Sequence, residues 1–228
     1  MAALDIIVVG AGGSARETLM LLLDIEAAEP GTWAFRGFVA ADAPSLEVLA
    51  RIDAPYLGEP ARLTELLPQA AGWHAISGIG DPVARRAMDA AMLAQGLTLA
   101  TLVHPTALIG RDVWIGAGSQ VCAYSVITTN VRIGRSAQVN IGCVIGHDAR
   151  IGDYLTLAQG VHLAGNVTID DDVTLHTGVS VNRGLRMGAG AVVGSGAVVT
   201  SDVEPGTTSV GVPARPLRAP VTPPGTAP

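Results

Sequence analysis

The chain of 228 residues contains no lysine: all 14 of its basic residues are arginine, and they are scattered without a run. With 20 acidic residues and a formal net charge of -6, it has no basic patch of the kind that nucleic acid or an anionic membrane surface requires. Neither is an expected partner. Aromatic residues make up only 4% of the chain, against 49% hydrophobic residues and 28 glycines. That balance excludes a helical bundle filled with rings and favours closely stacked backbone with small and β-branched side chains. Only Cys122 and Cys143 could form a disulfide, and no histidine stands at zinc-ligand spacing from them, so both read as reduced core or wall thiols. The opening apolar run MAALDIIVVGAGG lacks a preceding basic segment, and its glycines end it well short of the roughly 20 residues of a membrane span. A cytoplasmic location is expected.

What is present divides into two textures. Residues 1–103 alternate strand and helix. Asp5-Ile6-Ile7-Val8-Val9 reads as a strand that ends in Gly10-Ala11-Gly12-Gly13, and an apolar helix runs from about Ala15 to Ile25. Further strands are expected at Ala34–Ala40, Trp73–Ile79 and Thr98–Val103, with a helix capped by Asp81, started by Pro82 and ending near Gln95. The pattern predicts a small parallel sheet covered by helices, with ligands at the carboxyl ends of its strands.

From residue 104 to 217 the period changes. Ile109, Ile115, Val121, Ile127, Ile133, Val139, Ile145 and Ile151 begin a series of aliphatic residues spaced by six that continues without insertion to Val199. Chance would produce such a run on the order of once in ten million trials. The residues two places earlier, such as Ala137, Cys143 and Ala149, are mostly small or β-branched. A period of six fits short strands joined by tight corners, three sides to an 18-residue coil, and so about five coils forming a prism roughly 25 Å tall. Glycines such as Gly116, Gly134, Gly152 and Gly194 follow the aliphatic residue, where a corner calls for positive φ or a compact side chain. The Pro-rich tail 218–228 is expected to be disordered.

The hexapeptide run, the segment Gly211-Val212-Pro213-Ala214-Arg215 and the βα unit before them resemble, over roughly residues 5 to 217, the bacterial nucleotide-sugar N-acetyltransferases. This group acetylates UDP- or GDP-linked amino sugars such as bacillosamine and perosamine precursors, in cell-surface glycan biosynthesis. The resemblance implies a left-handed parallel β-helix, a homotrimer with active sites between subunits, and acetyl-CoA lying between neighbouring β-helices. It also implies an N-terminal domain that binds the nucleotide-linked amino sugar. It points to His147 and Asp148, within Asn140-Ile141-Gly142-Cys143-Val144-Ile145-Gly146-His147-Asp148, as the catalytic pair, and to Asn140 for orienting the amine. For acetyl-CoA it points to Thr156, Gly165, Thr177, Ser195 and Arg215. For the nucleotide it points to Gly10, Gly12, Gly13, Ser14, Asp42, Gly78 and Gly80. Two positions depart from the family: Thr156 and Ser14 stand where relatives often have histidine.

The residues also make their own case. His147 follows the inward Ile145 by two places and so faces outwards at a corner, and an imidazole can accept the amine proton at neutral pH. Asp148 can fix its tautomer. Gly165, one coil above, allows close approach of a backbone N–H to the thioester. The loop Gly10–Ser14 can cradle a phosphate or ribose at a helix N-terminus. Its departure from the dinucleotide fingerprint argues against NAD. His162 and His176 do not stack on His147, which argues against a metal site. His104 reads as a hinge residue, His74 as a strand-edge residue and Asp170-Asp171-Asp172 as a solvated turn. The expected activity is acetyl transfer from acetyl-CoA to the amine of a nucleotide-linked sugar. The alternatives are O-acetylation of a sugar or related alcohol, and a non-catalytic nucleotide-sugar-binding scaffold.

Overall fold

The computed structural model describes residues 2–41, 45–60, 65 and 72–217. Asp42, expected at the nucleotide, and the tail 218–228 lie outside the described residues. The first unit is a parallel sheet of β1 (Leu4–Val9), β2 (Trp33–Val39), β3 (Tyr56–Gly58), β4 (His74–Ser77) and β5 (Thr98–Leu99), in the order β3-β2-β1-β4-β5. Among the described residues it is accompanied by α1 (Gly13–Ala28), α2 (Leu46–Ala50) and α3 (Pro82–Ala94). Ile6 and Val8 pack against Leu19, Leu22 and Ile25 of α1, while Ile7 and Val9 pack with Met92 of α3. Burial on both faces explains why β1 is apolar throughout rather than alternating. The strand order reverses between β1 and β4, which opens a crevice at their carboxyl ends. β3 and α2 have no counterpart among the expected elements.

The second unit is a left-handed parallel β-helix with three faces. The junction face runs through Leu102–Val103, Gln120–Val121, Gln138–Val139, Thr156–Leu157, Thr174–Leu175, Val192–Val193 and Thr208–Val210. The apolar face stacks six strands from Leu108–Ile109 to Val198–Val199, and the arginine face five from Val113–Ile115 to Arg186–Met187. Register steps by 18 from Leu102 to Val199, as in Gln138↔Thr156 and Ile145↔Leu163. The sixth-position aliphatics from Val121 to Val199 form one continuous core with the small residues that precede them.

One expectation needs correction and one is narrowed. The strand expected over Thr98–Val103 is divided: Thr98–Leu99 closes the first sheet, while Leu102–Val103 pairs with Gln120–Val121 and is the first rung of the β-helix. Val103 thus belongs to the series of six, one step before Ile109. The corners, for which positive φ or a compact side chain was expected, resolve to the second. Gly116, Gly134 and Gly152 do not take positive φ; a Cβ on any of them would come within 2.5 Å of the neighbouring coil, at Arg135 N, Gly152 C or Asp171 Oδ1. Positive φ falls two residues later, in ladders such as Asp112, Asn130, Asp148, Asn166 and Gly184. Asparagine, aspartate and glycine tolerate that conformation best, so the corner sequence records two separate demands.

Candidate active site

The glycine loop comes first. Gly10–Ser14 and Gly78–Gly80 line one open cleft of about 610 Å³ with Ala40 and Arg16, at the carboxyl ends of β1 and β4. Gly78 is glycine because a Cβ there would lie 2.4 Å from the Ala15 Cα, so its absence lets α1 sit against the sheet. Gly12 caps α1 without a side-chain hydrogen bond, and the first turn holds no acidic residue. The positive end of the helix therefore faces the cleft uncompensated, which suits an anionic group. Arg16, whose guanidinium donates to Ala11 O at 3.2 Å, adds a cation to this rim and was not singled out from the sequence.

His147 and Asp148 stand elsewhere, at the corner between the apolar and arginine faces. His147 Nδ1 lies 2.7 Å from Asp148 Oδ2, and Asp148 Oδ1 accepts from Asn130 Nδ2 at 3.2 Å. These bonds hold the Asp148 carboxyl below its usual range. With Nδ1 facing a carboxylate, Nε2 is the nitrogen free to accept a proton. The ring lies over Gly165: a Cβ on that residue would stand 2.4 Å from His147 Nε2 and 2.5 Å from Cε1. Gly165 is thus required by the imidazole itself, and its amide makes no hydrogen bond to the described residues.

Asn140 occupies a different corner, between the junction and apolar faces. Its side chain donates to Leu157 O at 2.6 Å, and it shares a crevice with Ser14, Glu17 and Thr18. Thr177 and Ser195 stack on this corner above Ile141 and Gln159, as the bonds Gly160 N to Ile141 O and Gly196 N to Thr177 O show. Arg215 lies exposed in the short antiparallel strand that ends the junction face. Within one chain, then, the residues expected around acetyl-CoA fall on two corners, with the apolar face between them.

Thr156 stands away from both corners. It lies 9% exposed in the seam between the two units, where its hydroxyl donates to Gly80 O at 3.1 Å and accepts from Arg85 at 2.9 Å. Its hydroxyl is engaged in the seam, and the residue also borders a cleft with Asp81, Pro82 and His176. Other expectations sort simply. His104 is tied to Asp24 at 3.0 Å, and the His74 ring packs edge-on against Trp33. The aspartate run is less solvated than expected: Asp172 pairs with Arg86, Asp170 with Arg186, and Asp171 accepts from Asp153 N. Cys122 and Cys143 are free, and burial pushes their thiols up to about 12 and about 11. Among the described residues no cluster of three or more His, Cys, Asp or Glu could hold a metal ion, and no helix is long and apolar enough to cross a membrane.

A β-helix of hexapeptide repeats with an outward histidine–aspartate pair defines an acyltransferase of the left-handed β-helix class. Comparison with known proteins narrows this. No family model matches the chain. A curated GDP-perosamine N-acetyltransferase from Escherichia coli is 34% identical over 83 residues, which is 36% of this chain and 38% of that protein, so the match spans well under half of either. Solved structures match nearly end to end. PerB from Caulobacter crescentus, in complex with CoA and GDP-perosamine, has a TM-score of 0.84 and 29% identity over 94% of this chain and 97% of its own. The acetyltransferase domain of PglB from Neisseria gonorrhoeae, in complex with acetyl coenzyme A, has a TM-score of 0.81 and 27% identity over 95% and 100%. Over nearly its whole length the chain is therefore similar in fold to these nucleotide-sugar N-acetyltransferases.

Proposed function

We propose that this chain transfers the acetyl group of acetyl-CoA to the amine of a nucleotide-linked amino sugar. The observation that carries the reading is the His147–Asp148 pair lying over Gly165, in a chain whose glycine-lined cleft suits a nucleotide diphosphate. In the reaction His147 Nε2 accepts a proton from the amine as its nitrogen attacks the thioester carbon, and Asp148 stabilises the imidazolium. The Gly165 amide meets the developing oxyanion, the C–S bond breaks, and the thiolate of CoA takes up a proton.

Cleft and histidine sit at different corners, so a single chain cannot complete this site. The apolar face lies between them. Its outward row is Leu108, Val126, Val144, His162, Ser180 and Val198, whereas the arginine face presents Trp114, Arg132, Arg150, Thr168 and Arg186 and the junction face is bonded to the first unit at Gln120, Gln138 and Thr156. Packing three copies around their apolar faces brings the His147 corner of one against the Asn140 corner of the next. The reading is therefore a homotrimer with its active sites between subunits, acting in the cytoplasm where nucleotide sugars and acetyl-CoA are made. Thr177 and Ser195 of one copy then face Gly165 of another across the acetyl-CoA, with Arg215 towards its phosphates.

His147→Ala is expected to lower the transfer rate by about 10²–10⁴ with the assembly intact. Activity within tenfold of wild type would sink the assignment. Assay of UDP-, GDP- and dTDP-linked amino sugars against the matching hydroxy sugars separates amine from alcohol acceptors. Stabilisation by nucleotide sugars without any transfer would favour a binding scaffold.

A further inference from the structure

Arg85, in the first turn of α3, is 0% exposed, and all six of its hydrogen-bond acceptors are neutral. It donates to Ile79 O at 2.8 Å and Gly80 O at 2.9 Å on the cleft floor, and on the β-helix to Ser136 O at 3.0 Å, Tyr154 O at 2.9 Å, Leu155 O at 3.1 Å and Thr156 Oγ1 at 2.9 Å. Gln138 reinforces Ile79 O at 3.1 Å, and the Thr156 hydroxyl reinforces Gly80 O. Burial draws the guanidinium down to about 10, so it remains a cation at neutral pH. Asp89, one turn on and also buried, offsets part of its charge but is bonded to Ser136 rather than to the guanidinium. Burying a cation remains costly, and simple domain adhesion could be had from apolar packing instead.

Peptide planarity gives the arrangement its meaning. In a trans peptide the C=O of one residue and the N–H of the next point in opposite directions. Pulling the Ile79 and Gly80 carbonyls towards the prism therefore turns the Gly80 and Asp81 amides away from it; Gly80 lines the cleft, and Asp81 follows it in the chain. Neither amide makes a hydrogen bond to the described residues. Resting on the nucleotide-sugar reading above, we infer that Arg85 is a positioning residue that aims these two amides at the diphosphate of the bound nucleotide. The prism thereby sets the geometry of a binding site that lies wholly in the other unit.

The test is calorimetric titration of UDP, GDP and acetyl-CoA into wild-type protein, Arg85→Lys and Thr156→Val. Lysine keeps the charge and cannot reach six acceptors; valine removes only the hydroxyl on Gly80 O. Arg85→Lys is expected to weaken nucleotide binding at least tenfold and to raise KM for the nucleotide sugar, with acetyl-CoA affinity within twofold. Thr156→Val should weaken the nucleotide three- to tenfold and decides the matter if Arg85→Lys does not fold. Nucleotide affinity within twofold of wild type in a folded variant, or an equal loss for acetyl-CoA, overturns the inference, since a seam that merely held the units together would spare both ligands or harm both. Arg85-dependent nucleotide binding without acetyl transfer would overturn the proposed activity and leave the positioning role standing. A wild-type chain that binds no nucleotide overturns both.

Discussion

The two corners that flank the apolar face are built in opposite ways. The His147 corner is self-contained: the imidazole, its aspartate, the backing Asn130 and the glycine beneath the ring all come from three successive coils of one prism. The Asn140 corner is shared. It adjoins α1, and the Thr18 hydroxyl donates to Gln120 Oε1 at 2.8 Å while Gln120 Nε2 donates to Ser77 O at 2.7 Å, so the first unit is fastened beside it. Reactive chemistry thus stands on a rigid repeat that needs nothing from the cleft domain, and recognition stands where the two units meet. In a trimer the first can be presented to the second only across a subunit boundary.

That contrast can be broken or sharpened by experiment. The largest effect belongs to mixing. Chains carrying His147→Ala and chains carrying Asn140→Ala should each be nearly inactive, yet co-refolded in equal amounts they should regain about a quarter of wild-type activity, the share of interfaces that pair an intact histidine with an intact asparagine. No recovery in a verified mixed trimer would place both residues in one site of one chain. Gly165→Ala should come next: displacement of the imidazole by the new methyl group is expected to cost about 10–100-fold in turnover with nucleotide affinity unchanged. A variant of wild-type activity would show that the ring moves freely at this corner.

The smallest effect concerns acid stability. The folded-state pKa of Asp148 is depressed by His147 and Asn130, so its contribution is complete above the unfolded carboxyl pKa of about 3.9 and is lost as pH falls through the folded value. Between pH 5 and pH 3 the wild type should therefore lose slightly more thermal stability than Asp148→Asn. Parallel curves for the two proteins would mean that the carboxylate is not held by its neighbours.

The same contrast governed what the sequence could reveal. The prism was legible because each coil repeats one local rule, an aliphatic residue every sixth place, and His147 could be placed outside simply by counting from Ile145. The first sheet was legible where β1 and α3 carry strong local signals, the apolar run and the Asp81-Pro82 cap. β3 was missed because three residues are too few to show a period, and Val103 was missed because a rung read alone looks like the end of an ordinary strand. The glycines after the aliphatics were noticed and given two reasons, positive φ or a compact side chain; stacking distance makes the second the one that applies. The seam was invisible. Gln120, Gln138 and Thr156 meet the first unit through partners 43 to 102 residues away, Arg85 meets the prism across 51 to 71, and no local pattern marks them.

The last turn of the prism departs from the rest. Its rungs pair at a step of 16, Val192 with Thr208 and Met187 with Val203, and the strand after it, Arg215–Pro216, turns back antiparallel along Val210. A parallel coil with three bare edges is a template on which another coil can grow, and long stacks of β-strands are how fibres form. The shortened circuit no longer matches an 18-residue turn, and the returning strand occupies one of the exposed rims with a proline whose nitrogen cannot donate. The same few residues that end the repeat make its end unsuitable as a seed, so a fold that could in principle extend without limit stays a particle of fixed length.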